Sequence, residues 1–164
     1  MRCYFLRHGI AVEPDEWQGS DFDRPLTREG RSRMEREAKA IAELSLGIDR
    51  IVTSPLLRAK QTAAILAERL GTNERVVEDA RLGGGFDRRS LGEILDEHAD
   101  AETIVLVGHE PAMSATIGRV IGDASIELKK AALAGVDLSH RSEPAGTLLC
   151  LIPPKLLVKF GSYC

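Results

Sequence analysis

Short apolar runs alternate along this chain with longer amphipathic segments. The run Tyr4–Leu6 has no polar alternation, which predicts a strand, Arg2–Leu6, that is buried on both faces of a parallel sheet. The same kind of pattern predicts further strands at Ile51–Thr53, Val76–Val77, Thr103–Val107, Ala131–Leu138, Thr147–Ile152 and, as a final edge strand, Leu156–Val158.

The segments between the first strands carry apolar residues at helical spacing. Thr27 is predicted to cap a first helix that runs to about Leu46. Ser54 is predicted as the N-cap of a second helix and Pro55 as its first residue, with Gly71 at its end. Two later helices are predicted around Ser90–His98 and from Pro111 to Gly122.

Strands that alternate with helices predict an α/β fold, here a three-layer α/β/α sandwich with a mostly parallel central sheet. The length of 164 residues suits a single domain, 1–164, and no repeat, linker or low-complexity segment divides it. The polar, irregular segment Ile10–Pro25 is predicted to lie over the mouth of a site, because long loops in compact domains are usually functional or mobile.

Charge and cysteine content indicate which binding partners and which redox compartment to expect. The 22 basic and 25 acidic residues give a net charge of −3, so no global field favours nucleic acid or a membrane surface. Three widely separated cysteines are an odd number, which predicts reduced thiols, a cytoplasmic protein and, for Cys3, a core position. No signal peptide or membrane span is expected, because Arg7 interrupts the N-terminal apolar run. We expect a monomer.

Candidate chemistry lies where three predicted strands end. Arg7, His8 and Gly9 follow the first strand, Arg58 follows the second, and His109 follows the strand Thr103–Val107. Ligands of open α/β sheets bind at the carboxyl ends of the strands, and Gly9 allows a bulky anion to approach the backbone closely. The pattern predicts an anion site that contains a nucleophile.

His8 is the predicted nucleophile, because an ordinary imidazole is largely neutral at cellular pH and can form covalent intermediates. The guanidinium groups of Arg7 and Arg58 match phosphate oxygens and would spread the charge of a transferred phosphoryl group. A metal site at His8 and His109 would need further ligands, and no H-x-x-x-H motif or cysteine cluster accompanies them. We therefore expect no metal and no cofactor.

Four stretches together resemble the histidine phosphatase superfamily, also called phosphoglycerate-mutase-like. They are R-H-G at 7–9, S-P-x-x-R-A-x-Q-T at 54–62, G-H at 108–109, and R-P-L-T-x-x-G at 24–30, the last resembling the short SixA-like branch of phosphohistidine phosphatases. The resemblance implies that His8 is transiently phosphorylated, that Arg7, Arg58 and His109 hold the phosphoryl group, and that Arg24 is a further phosphate-pocket arginine.

Larger members of the superfamily carry an acid after the second helix that protonates the leaving oxygen. No acid of the segment Glu78–Gly85 matches that motif, and the segment is too short for the inserted cap of the mutases. A phosphoramidate nitrogen can be protonated in solution, whereas an alkyl ester needs a positioned acid. The expected activity is therefore a metal-independent phosphatase for phosphohistidine on a partner protein of phosphorelay or phosphotransfer type.

Two alternatives stay open from the sequence. One is a small-molecule phosphomonoesterase acting on a small phosphate ester, with one of several carboxylates as its acid: Glu13, Asp15, Asp79 or Glu110. The other is a non-catalytic module that binds phosphate or a phosphoprotein. A binding module needs arginines but has no need of a nucleophilic imidazole.

Overall fold

The computed structural model describes residues 1–160, and within them six strands form one sheet in the order β3-β2-β4-β1-β5-β6. The strands are β1 Arg2–Arg7, β2 Arg50–Thr53, β3 Val76–Glu78, β4 Thr103–Gly108, β5 Leu133–His140 and β6 Ala145–Ile152. The first four are mutually parallel, while β5 runs antiparallel to β1 and β6 antiparallel to β5. The prediction of an α/β fold with a mostly parallel sheet is confirmed.

Helices cover both faces of the sheet. The helices are α1 Arg28–Glu43, α2 Leu57–Leu70, α3 Arg88–Glu97, α4 Ala112–Val120 and α5 Pro154–Phe160. Cys3 and Phe5 of β1 pack into one core with α3 and α4, and Tyr4 and Leu6 pack into a second core with α1, α2 and α5. Successive side chains of a strand point to opposite faces, so the buried residues Cys3 to Leu6 contribute alternately to the two cores.

Individual residues of the sequence account for where helices α1 and α2 begin or end. The hydroxyl of Thr27 accepts a hydrogen bond from the amide of Gly30 at 2.9 Å, which confirms it as the N-cap of α1. Gly71 ends α2 in the left-handed conformation, with φ of 66°. The helix α1 ends at Glu43 rather than near Leu46, because the chain already turns left-handed at Ser45, with φ of 50°.

The predicted start of α2 is wrong. The helix begins at Leu57, and Ser54 and Pro55 precede it in an irregular turn. The hydroxyl of Ser54 accepts from the amide of Leu56 at 3.2 Å, which forms a local turn instead of a helix cap. Arg58 consequently stands second in the helix, immediately above the end of β2.

The predicted edge strand Leu156–Val158 is also wrong, because these residues lie in α5. A short apolar run suits a strand or a buried helix equally well. Pro154 fits the first position of a helix, where its missing N–H costs nothing. Leu157 is buried in the core that contains α1, while Leu156 is 46% exposed.

The cysteine and membrane predictions can be compared with the described residues. Cys3 is fully buried in β1, as predicted, and burial raises the pKa of its thiol. Cys3 and Cys150 are not in disulfides, and Cys164 lies outside the described residues. None of the helices within residues 1–160 combines the length and apolar character needed for a membrane crossing.

Candidate active site

Strand pairing brings the two predicted histidines together. Arg7 is paired with Gly108 across the parallel strands β1 and β4, so the residues that follow each strand emerge side by side. The amide of His8 donates to the carbonyl of Gly108 at 3.1 Å. The ring centroids of His8 and His109 lie 5.0 Å apart, with the rings tilted by 53°. The sheet therefore builds the centre of the site from residues about a hundred positions apart.

The hydrogen bond of His8 defines the state of its ring. Its Nδ1 lies 2.7 Å from the carbonyl oxygen of Gly9, which can only accept. The Nδ1 atom must therefore carry the proton, and the lone pair of the neutral ring is on Nε2. Burial, together with the positive charges of His109, Arg58 and Arg7, lowers the pKa of His8 to about 3. The imidazole is neutral over the whole physiological range.

Gly9 and Thr62 tie the loop after β1 to α2. The amide of Gly9 donates to the hydroxyl of Thr62 at 3.0 Å, and that hydroxyl donates to the carbonyl of Arg58 at 2.7 Å. Thr62 is fully buried. These two hydrogen bonds fix the position of the backbone beside His8 relative to the helix that carries Arg58. The predicted contact of Gly9 with phosphate stays a prediction.

Arg58 extends from the first turn of α2 and forms hydrogen bonds with Asp21. Its Nη1 donates to the carbonyl of Asp21 at 2.8 Å, and its Nη2 lies 3.0 Å from the Asp21 carboxylate. Its Nε is buried and has no hydrogen-bond partner within residues 1–160. Two nitrogens of the guanidinium are therefore bonded to Asp21, while the Nε–H remains available to a ligand.

Arg24 and Arg7 complete the positive charge around the histidines. The Nε of Arg24 donates to the carboxylate of Asp21 at 2.7 Å, and its Nη1 donates to the carbonyl of Val12. Arg7 donates through Nη1 to the carbonyl of Leu128, and its buried Nε has no partner among the described residues. All the predicted arginines therefore converge, with Asp21 bridging two of them.

His109 is positioned by Ser54. The Nε2 of His109 lies 2.8 Å from the hydroxyl oxygen of Ser54, which is fully buried. The same oxygen already accepts from the amide of Leu56, so its own proton is available for His109. The Nδ1 of His109 is buried without a partner in the described chain. Burial and the charge of Arg58 lower the pKa of His109 to about 4.

The carboxylates that could serve as a general acid are mostly engaged elsewhere. Asp79 caps a short helix and binds Arg81 at 2.6 Å, and its pKa is lowered mainly by that contact. Glu110 accepts from the amide of Ser114, and Glu13 pairs with Lys130 on the surface. Asp21 does contact the site arginines, but its hydrogen bond from Arg24 lowers its pKa. A depressed pKa makes a carboxyl a poor proton donor near neutral pH.

Among the described residues, His8 and His109 are not joined by further ligands of the kind that a metal centre needs. Within residues 1–160, no group of three or more His, Cys, Asp or Glu side chains has the arrangement of a metal site. The residues around His8 are instead guanidinium groups, which repel a cation and attract an anion.

Comparison with known proteins identifies the family of this chain. A sequence model of the histidine phosphatase superfamily (branch 1) matches residues 3–83. A Yersinia enterocolitica protein named probable phosphoglycerate mutase GpmB is 31% identical over 93% of this chain and 68% of its own length. The chain belongs to the histidine phosphatase superfamily. An uncharacterized protein of Picosynechococcus sp. is 37% identical over 96% of this chain and 99% of its own length.

Solved structures show the same fold. The protein histidine phosphatase SixA complexed with tungstate superposes with a TM-score of 0.84 at 23% identity, covering 94% of this chain and 98% of its own. The alpha-ribazole phosphatase from Shigella flexneri gives a TM-score of 0.72 at 17% identity, covering 94% and 97%. At these identities the structures establish the phosphoglycerate-mutase-like fold. The prediction of a phosphatase is confirmed at the level of the superfamily.

Three residues around the site were not identified from the sequence in the roles that they have. Thr62 is the last residue of the S-P-x-x-R-A-x-Q-T stretch, and this motif is a sequence signal that could have identified it as a residue of the site. The sequence predicts Ser54 chiefly as a helix cap, and its link to His109 depends on strand order. Asp21 lies three residues before Arg24 in a loop of irregular sequence, where no local signal marks its contact with Arg58.

Proposed function

We propose that this protein is a metal-independent phosphatase that works through a phosphohistidine intermediate on His8. One observation carries the proposal: the bond from Nδ1 to the carbonyl of Gly9 leaves a neutral Nε2 lone pair on a ring that lies in the positive field of Arg7 and Arg58. A nucleophile that is fixed in its tautomer and surrounded by guanidinium groups suits attack on a phosphoryl group.

The reaction proceeds in two steps. In the first, Nε2 of His8 forms a bond to phosphorus while the bond from phosphorus to the leaving group breaks, and the leaving atom takes a proton from solvent. In the second, water attacks the phosphorus of phospho-His8, the N–P bond breaks, and inorganic phosphate leaves with the imidazole restored. No metal is required, because the arginines supply the positive charge.

Arg7, Arg58 and His109 are assigned to the phosphoryl oxygens. The unpartnered Nε atoms of Arg7 and Arg58 and the unpartnered Nδ1 of His109 are buried groups within residues 1–160 that a phosphoryl group would satisfy. Arg24 is assigned a supporting role in the pocket, since its guanidinium is already bonded to Asp21 and Val12. Gly9 is assigned to the close approach of the anion.

We propose phosphohistidine on a partner protein as the substrate. Asp21, the carboxylate that contacts the site arginines, has a lowered pKa, and Glu110 is bonded to a backbone amide. A phosphoramidate does not depend on such an acid, because its nitrogen is protonated in solution. The fold shared with SixA, which was solved with the oxyanion tungstate, supports this choice. The partner would be of phosphorelay or phosphotransfer type, and the enzyme a monomer in the cytoplasm.

A small-molecule phosphomonoesterase is the second candidate. The fold is shared with an alpha-ribazole phosphatase, and a probable phosphoglycerate mutase is among the relatives in sequence. This candidate requires a carboxyl group that protonates the leaving oxygen. A non-catalytic binding module gains no support from the fixed tautomer of His8, because binding alone does not need a free Nε2.

The test compares two substrates in the presence of a chelator. A phosphohistidine protein and an alkyl phosphate, glycerol 3-phosphate, are assayed with wild type and with His8→Ala, and a labelled phospho-enzyme is trapped at alkaline pH. We expect rapid loss of phosphohistidine, slow ester hydrolysis, and no phospho-enzyme in the variant. Brisk ester hydrolysis without preference for phosphohistidine would favour the phosphomonoesterase. Loss of all activity in the chelator alone would contradict the metal-independent mechanism.

A further inference from the structure

A basic cleft opens beside the phosphoryl site. It has a volume of about 560 Å³, and Arg7 lies in its wall. Its charged lining consists of five cations and one carboxylate: Arg7, Arg33, Lys129, Lys130, Lys155 and Glu127. The chain as a whole has a net charge of −3, so this concentration of positive charge is a local feature and not a reflection of composition.

The cleft is joined to the active site through the segment that precedes β5. Arg7 donates from Nη1 to the carbonyl of Leu128 at 3.0 Å, and Lys129 and Lys130 follow directly in the chain. The amide of Ala131 donates to the backbone carbonyls of Arg7 and His8 at 3.1 and 3.2 Å. The lysines are therefore carried by a segment bonded at both ends to the strand end that bears the nucleophile.

The cations of the cleft differ in how far they are neutralised. Lys130 pairs with Glu13 at 3.1 Å, and Arg33 bonds through Nε to the buried Glu37. Lys129 and Lys155 are exposed, and neither forms an ion pair with a carboxylate of residues 1–160. Two ammonium groups that form no ion pair among residues 1–160 thus line a cleft whose wall includes Arg7, which is assigned to the phosphoryl group.

We propose that this cleft binds a second anionic group of the substrate, a carboxylate or a phosphate, while the scissile phosphoryl group lies at His8. The inference rests on the proposed function insofar as Arg7 holds the phosphoryl group. Lysine ammonium groups attract oxyanions as point charges and need no fixed geometry. The site would therefore select substrates in which a second negative charge lies close to the phosphoryl group.

Two sources could present that second charge, and matched ligand pairs distinguish them. The first pair is propane-1,3-bisphosphonate and propylphosphonate, neither of which can be hydrolysed. The second pair is two peptides that carry a stable phosphohistidine analogue, one flanked by Asp and Glu and the other by Asn and Gln. Because binding is measured by calorimetry without turnover, failure of the proposed chemistry at His8 would not affect the result.

The decisive variant is Lys129→Ala combined with Lys155→Ala. For wild type we expect the more anionic member of at least one pair to bind about 5–20-fold more tightly, since each of the two exposed charges contributes up to about fivefold. In the double variant the ratio of the two affinities should fall to about 1–2. Lys159→Ala is the matched control, because Lys159 is exposed on the same helix and does not line the cleft.

Each outcome has one meaning. A preference in the phosphonate pair alone assigns a small substrate with two anionic groups, and a preference in the peptide pair alone assigns an acidic surface around phosphohistidine. Either preference supports the cleft only if it is lost in the double variant and kept in Lys159→Ala. Equal affinities within both pairs, or a preference that survives in the double variant, would overturn the proposal.

Discussion

Arg58 and Asp21 are bonded twice, once through the Asp21 backbone carbonyl at 2.8 Å and once through its carboxylate at 3.0 Å. The Asp21 carboxylate also accepts from Arg24 at 2.7 Å, so one acid bridges two arginines of the site. Although Asp21 belongs to an exposed loop, the side chain of Arg58 is only 7% exposed. The loop thus brings a negative charge to the place proposed for the phosphoryl group.

We expect Asp21→Asn to strengthen inhibition by inorganic phosphate. The carboxylate competes with phosphate for Arg58 and reduces the positive charge of the pocket, and its removal should lower the inhibition constant about 3–10-fold. Steady-state inhibition at fixed ionic strength measures the change. Asp23→Asn, two residues further along the same loop, is the control. Weaker phosphate binding in Asp21→Asn would instead make Asp21 a residue that positions Arg58.

The pH profile of kcat/KM should lack the acid limb of an ordinary histidine. Burial and neighbouring positive charge place the pKa of His8 at about 3, so Nε2 stays unprotonated well below neutral pH. With a histidine of pKa ~6.5 as nucleophile, kcat/KM would fall about 25-fold between pH 7 and pH 5. We expect a change below about twofold over that range, once the ionisation of p-nitrophenyl phosphate is taken into account. A drop of tenfold or more would contradict the neutral His8.

Ser54→Ala should impair turnover through His109. Removing the hydroxyl takes away the partner of Nε2 and leaves a buried nitrogen without a bond, a loss of about 1–2 kcal/mol, or roughly 5–30-fold in kcat. Nitrogen NMR of the His109 ring should show a changed tautomer, which a purely structural effect would not produce. Ser139→Ala, which removes a surface hydroxyl bonded to Ala145, is the control. An unchanged ring signal would rule out the positioning role.

A buried acid on α1 should make the protein less stable as the pH rises. Glu37 is fully buried beside Arg33, and burial raises its pKa from 4.5 to about 7. Between those values the unfolded carboxyl ionises while the folded one keeps its proton, so the unfolded state binds fewer protons and the free energy of unfolding falls with pH. The loss is complete above the folded pKa.

We therefore expect Glu37→Gln to be more stable than wild type at pH 8, by about 1–3 kcal/mol, with a smaller difference at pH 5. Urea denaturation at both pH values measures it. Glu35→Gln, an exposed position on the same helix, should leave the pH dependence unchanged. If wild type and Glu37→Gln lose stability in parallel between pH 5 and pH 8, the carboxyl is not the cause.

The elements that the sequence predicted correctly are those with strong local patterns. The run around Phe5 is apolar on both faces, and Thr27 stands where the α1 cap is needed. The errors fall where two structures share one local pattern. Ser54-Pro55 resembles a helix start but forms a turn, and Leu156–Val158 suits a strand or a buried helix. Packing of Leu157 in the core with α1 decided the second case.

The sequence by itself determined the α/β alternation, the two histidines at strand ends and the arginines near them, because hydrophobic periodicity and motif spacing are local properties of a chain. Only the tertiary structure decided which nitrogen of His8 is free, that Ser54 positions His109, and that Asp21 bridges Arg24 and Arg58. These relationships join residues as many as 55 positions apart. Their geometry depends on strand order and loop path, which no local pattern specifies.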